Sequence, residues 1–114
     1  MCTQLQLNQI TSEVKQDIQN MLGSRLHKII LYGSYARGDY DDESDIDMMV
    51  LADVPYGEMR NYRKQINHIA SKIGLAHDIM ITISLKDKQF FDSHQAILPF
   101  YRNVANEGVP IYGN

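Results

Sequence analysis

The sequence predicts an α/β fold, a small mixed β-sheet with helices packed on it, and three observations carry that expectation. Two long segments repeat apolar residues at steps of three and four. Short runs rich in branched residues stand between and after them. Glycines fall where those segments should stop.

In order along the chain, Leu7, Ile10, Val14, Ile18 and Met21 mark one face of a first helix, with Gly23 placed to end it. "LHKIILY", residues 26 to 32, is short and closed by Gly33, so it reads as a buried strand, and "IDMMVL", residues 46 to 51, reads likewise. Met59, Tyr62, Ile66, Ile69 and Ile73 restore the helical spacing before Gly74. "AHDIMITI", residues 76 to 83, is a third strand. After Ser84, "LKDKQFF" and "ILPFYRNVANEG" are short helices, the second with Pro99 near its start and Gly108 beyond its end.

A chain of 114 residues is expected to form one domain, residues 1–114, with a single core. Hydrophobic residues make up 44% and charged residues 22%, and no apolar run approaches a membrane span. "MCTQLQLNQI" lacks the basic start and apolar stretch of a signal peptide, and the single Cys2 has no partner for an internal disulfide. A cytoplasmic location is expected, with no membrane partner and Cys2 an incidental exposed thiol. The net charge of −3 argues against a protein whose main work is gripping nucleic-acid backbone.

Against that ordinary background, "GSYARGDYDDESDID", residues 33 to 47, puts six carboxylates into nine positions. Gly33 and Gly38 have P-loop spacing, but Asp39 and Tyr40 stand where Lys and Ser or Thr are required. A calcium loop from Asp39 would have Ser44 in place of its turn glycine and Val50 in place of its bidentate glutamate. Zinc has no ligand set, because His27, His68, His77 and His94 are scattered singly. Asp39, Asp41, Asp42 and Glu43 read as solvated loop charge, and Tyr35, Tyr40, Tyr56 and Tyr101 as packing residues.

What survives is Asp45-Ile46-Asp47 at the mouth of a strand. Alternation puts Asp45 and Asp47 on one surface and Ile46 on the other. Two carboxylates so placed repel, and a divalent cation is their natural partner. Mg²⁺ suits them, since it takes one or two carboxylates and completes its shell with water and nucleotide phosphates. Asp78 interrupts an apolar strand where a charge is costly unless it faces a site. With neighbouring strands, the three carboxylates could bind two cations. Gly33-Ser34 should open a helical turn whose N–H groups and hydroxyl hold phosphate oxygens, with Arg37 one turn on.

Gly33-Ser34, ten intervening residues, Asp45-x-Asp47 and the later Asp78 together resemble the signature of the DNA polymerase beta-like nucleotidyltransferase superfamily. The whole of "GSYARGDYDDESDIDMMV" and the ending "PFYRNVANEGVPIY" are similar to the minimal nucleotidyltransferases, including antitoxins paired with HEPN-domain toxins. The resemblance implies a polymerase beta-like fold, Asp45, Asp47 and Asp78 as catalytic metal ligands, and Gly33 and Ser34 at the triphosphate. It implies ATP as substrate, two Mg²⁺ ions, and transfer of AMP to a tyrosine of a partner HEPN toxin. Two other readings stand beside it: an interaction module that neutralises its partner by binding alone, and AMP transfer to a small hydroxylated molecule such as an aminoglycoside.

Overall fold

The apolar stripe of the first segment does form a helix, α1 (Gln4–Leu22), whose buried residues are Leu7, Ile10, Val14, Ile18 and Leu22. Thr3 caps it by accepting a hydrogen bond from the Gln6 N–H, and Gly23 ends it at a φ of 56°. The computed structural model describes residues 2–113, and among these the element order continues as β1 (Leu26–Tyr32), α2 (Ser34–Arg37), β2 (Ile46–Ala52), α3 (Met59–His77), β3 (Ile81–Asp87), α4 (Lys88–His94), α5 (Pro99–Glu107) and β4 (Val109–Tyr112).

The four strands form one mixed sheet in the order β3-β2-β1-β4. β1 lies antiparallel to both β2 and β4, while β2 and β3 run parallel, joined by the long α3 crossover. Parallel pairing puts the N-terminal ends of β2 and β3 side by side. The acidic stretch leads directly into that end.

Each face of the sheet has its own cover. Ile29 and Leu31 of β1, Ile46, Met48 and Val50 of β2, and Ile81, Ile83 and Leu85 of β3 pack against α1 and α3. On the opposite face Ile30, Met49 and Leu51 meet Phe91 of α4 and Tyr101 and Val104 of α5. β2 is therefore apolar on both faces from Met48 onward, and burying each of its large side chains is worth roughly 1.5–3 kcal/mol. Only its first turn of alternation, at Asp47, leaves a charge on the second face.

Several expectations need correction, among them the helix read at "LKDKQFF": its first three residues, Leu85 to Asp87, finish β3, and α4 begins at Lys88. The third strand begins at Ile81 rather than at residue 76, because α3 runs through Gly74 to His77. Asp78 ends that helix in the left-handed conformation, φ 54°, with its N–H directed to the Leu75 carbonyl while the Ile79 N–H bonds the Gly74 carbonyl at 3.0 Å. This is a helix-ending double turn, and aspartate is among the few residues that adopt it readily. Cys2 is buried, not an exposed thiol: it is 5% exposed, within the α1 face of the core, and its N–H donates to the Tyr35 hydroxyl. Tyr56 is 98% exposed and packs on nothing, whereas Tyr35 stacks on Tyr40 with centroids 4.3 Å apart. Strand β4, unforeseen in the sequence, pairs with β1 and closes that edge of the sheet.

Gly74 thus serves a close approach within the helix rather than a stop. A Cβ there would lie 2.6 Å from the Ile79 carbonyl oxygen. In an exposed helix Gly→Ala stabilises by about 1 kcal/mol, but here the clash with backbone dominates. Gly74→Ala is expected to lower unfolding free energy by about 1–3 kcal/mol in urea titration. A gain in stability would show that the turn after α3 yields to the added methyl.

Candidate functional site

β1 delivers the chain to Gly33, which turns it at φ 76° into the single turn of α2. Gly33 is the residue before that turn and Ser34 its first helical position. As glycine, the cap residue Gly33 has no side chain to make a capping bond. Gly38, left-handed at φ 88°, ends the turn with its N–H on the Ser34 carbonyl. The loop that follows is held by Asp41, whose carboxylate accepts hydrogen bonds from the Glu43 N–H at 2.9 Å and the Ser44 hydroxyl at 3.2 Å. Asp39, Asp41, Asp42 and Glu43 are exposed, as expected of solvated loop charge.

That loop presents Asp45, exposed, and Asp47, half-buried, on the face opposite Ile46, which is fully buried. Tyr32 of β1 is the register partner of Asp47, so the end of one strand lies beside the start of the other. The fit is close: a Cβ built on Gly33 would stand 2.7 Å from the Asp47 Oδ2. Only glycine admits the carboxylate there.

Electrostatics follow from this crowding. Burial pushes the Asp47 carboxyl above the usual 3.8, the nearby Asp45 pushes it further, and the Arg37 guanidinium opposes both. Arg37 reaches Asp39 Oδ2 with its Nε at 3.2 Å and Glu107 Oε2 with Nη1 at 3.5 Å. Glu107 closes α5, so Arg37 ties the acidic loop to the helix that covers this face of the sheet. Tyr32 is held above the ordinary phenol value chiefly by burial. The Ser84 hydroxyl opposes that effect, and the negative Asp47 adds to it.

Gly33, Ser34, Arg37, Asp45 and Asp47 are thus brought together as the sequence suggests. Asp78 is not brought to the strand beside them. The β3 residue in register with Asp47 is Thr82, exposed on the same face, with Ser84 two positions on. Asp78 instead stands beyond the strand end, sharing with Asp45, Glu43 and Ser44 a polar cleft of about 170 Å³. Among the described residues no three His, Cys, Asp or Glu side chains are grouped to hold a metal. Sequence reasoning missed Tyr32, Thr82 and Ser84, whose place depends on strand register.

Two carboxylates on one strand mouth, Asp45 exposed and Asp47 half-buried, form a hard-oxygen donor pair that fits a divalent cation such as Mg²⁺. Beyond Tyr32 the surface turns apolar. Phe100 lies 5.6 Å from the Tyr32 ring, and Ile97, Leu98 and Phe100 are 69%, 37% and 46% exposed.

Comparison with known proteins gives the same architecture a family. The model of the nucleotidyltransferase domain matches residues 8–107. A protein of Methanocaldococcus jannaschii named "Putative protein adenylyltransferase" is 36% identical over 107 residues, 94% of this chain and all of that one. Among solved structures, a toxin-antitoxin with AMP-PNP superposes with a TM-score of 0.62 at 21% identity, covering 91% of this chain and 73% of that chain. The toxin-antitoxin MntA-HepT does so at 0.55 and 21%, covering 98% and 74%. At those identities the two structures speak to the fold.

The raised Asp47 fixes the sign of a pH effect in metal-free protein. A carboxyl whose folded pKa exceeds its unfolded one contributes stability that is complete below the unfolded value and lost as pH rises through the folded one. Asp47→Asn should therefore unfold at higher urea than the wild type at neutral pH. The difference should shrink toward zero as the pH drops below the usual carboxylate value of 3.8. A less stable Asp47→Asn at neutral pH would mean that Arg37 outweighs burial and Asp45.

Proposed function

The chain belongs to the nucleotidyltransferase domain family, and from that premise we propose that it transfers AMP from ATP, with Mg²⁺, to a hydroxyl of a partner protein. The acceptor in this reading is a tyrosine of a HEPN-domain toxin, and the protein is its antitoxin. The observation that carries the proposal is the contact of the Gly33 turn with the Asp47 carboxylate, 2.7 Å from where a Cβ would be. A phosphate-receiving turn and a cation-receiving carboxylate that touch suit a ligand holding phosphate and cation together, which is a metal nucleotide.

The residues divide the work as follows. The backbone of the Gly33-Ser34 turn, with the Ser34 hydroxyl, receives phosphate oxygens, and Arg37 supplies positive charge one turn on. Asp45 and Asp47 hold the cation, which when bound draws charge from the phosphates. Held this way, the α-phosphorus faces an acceptor oxygen arriving in line. A new O–P bond forms, the bond to the β-phosphate oxygen breaks, and pyrophosphate leaves with those electrons. Asp78, exposed at the rim of the cleft it shares with Asp45, is the candidate to take the acceptor's proton. A protein acceptor agrees with the apolar rim of Ile97, Leu98 and Phe100 beside Tyr32. Relatives named for protein adenylylation and for toxin-antitoxin pairs agree with it too.

Incubation with the product of the neighbouring reading frame, ATP and Mg²⁺ should add AMP to a tyrosine of that protein, seen by intact-mass and peptide mass spectrometry. Asp45→Asn with Asp47→Asn should still bind the partner yet lower transfer about 100-fold or more. A double mutant that protects cells as well as the wild type would favour neutralisation by binding alone.

A further inference from the structure

On the face of the sheet that carries Asp47, each neighbouring position is fixed by register. β1 offers Tyr32, β3 offers Thr82 and then Ser84, and the next residue of β2 on that side is the fully buried Met49. None of these is a carboxylate. Tyr32 and Ser84 stand on the strands either side of β2, and both are neutral hydroxyl side chains. Asp78 lies three residues before β3 begins and is locked in the left-handed turn that ends α3, with Ile79 and Met80 between it and the strand. The Ile46 N–H bonds the Met80 carbonyl at 3.0 Å, so the chain after Asp78 is already tied to β2. Bringing Asp78 level with Asp47 would break that bond and unwind the helix end.

A pair of carboxylates carries two negative charges, enough to balance one divalent cation whose other ligands are phosphate oxygens and water. A second cation a few ångströms away needs further anionic oxygen on the protein side. Here it would meet Thr82, a neutral hydroxyl, with the Arg37 guanidinium close enough to act on Asp47. Resting on the metal-nucleotide reading above, we infer that this chain binds a single divalent cation with its nucleotide. Asp45 and Asp47 hold it, and Thr82 occupies the position from which a third carboxylate would have held another.

The count can be measured directly. Mn²⁺ binding is followed by equilibrium dialysis, with electron paramagnetic resonance of the free ion, at saturating non-hydrolysable ATP analogue and matched free nucleotide on both sides. The wild type should saturate at one Mn²⁺ per chain. Asp78→Asn should also saturate at one, and Asp47→Asn should lose most of the binding. Thr82→Asp, on an exposed position, should raise the count to two and broaden the bound-ion spectrum through coupling of neighbouring ions, while Thr82→Asn stays at one. Two Mn²⁺ per wild-type chain would overturn the inference while leaving the nucleotide reading intact. A fall from two to one in Asp78→Asn would identify Asp78 as the missing ligand. No nucleotide-dependent Mn²⁺ in the wild type would overturn the functional reading and this inference with it. Should Thr82→Asp fail to fold, the counts for the wild type and Asp78→Asn decide alone.

Discussion

The constraint on which the site depends is the absence of a side chain at Gly33. The Asp47 carboxylate fills the space that a Cβ would take, at a φ of 76° that other residues avoid. This contact fixes where α2 begins relative to the mouth of β2. With it, the Ser34 hydroxyl and Arg37 share one small volume with two carboxylates. Antiparallel pairing of Tyr32 with Asp47 then extends that local fit into the sheet.

The sheet gives the site its rigidity by an unequal use of its faces. Toward α1 and α3 it is apolar along three strands, and β2 is buried on both sides from Met48 to Ala52. Asp47 is where this burial stops on the second face. Its raised pKa is the electrostatic trace of standing half in the core and half in the site. α5, which covers this second face, reaches the same region, where Glu107 meets Arg37. The C-terminal helix therefore contributes to the charge balance of a turn some seventy positions earlier in the chain.

The parts of the fold legible in the sequence were those written in local pattern. The stripe from Leu7 to Ile18, the branched run of β1 and the alternation at Asp45-Ile46-Asp47 each follow from neighbours a few residues apart. What could not be read was non-local. "AHDIM" looks like the opening of a strand because Ile79 and Met80 run straight into the apolar residues of β3, yet the helix persists through Gly74 and the Asp78 turn belongs to its end. Nothing near Asp78 in the chain reveals that Thr82 is the residue level with Asp47, since that depends on how α3 returns the chain to β2. Cys2 was misjudged for a related reason: its burial comes from contact with Tyr35, thirty-three residues away. β4 is four residues long and contains a proline, too little for a strand signal without β1 beside it.

Thr82 beside Asp47 also bears on which hydroxyls such a site can use. A cation bound to the attacking oxygen is a general way to acidify it, taking water from 15.7 to about 7 in favourable cases. Where the only cation sits with the phosphates, the incoming oxygen keeps its intrinsic acidity. A phenol, ionising near about 10, then has a large advantage over aliphatic alcohols. Chemical selection of tyrosine over serine, threonine or sugar hydroxyls would arise from what β3 lacks at one position, with no pocket required to read the aromatic ring.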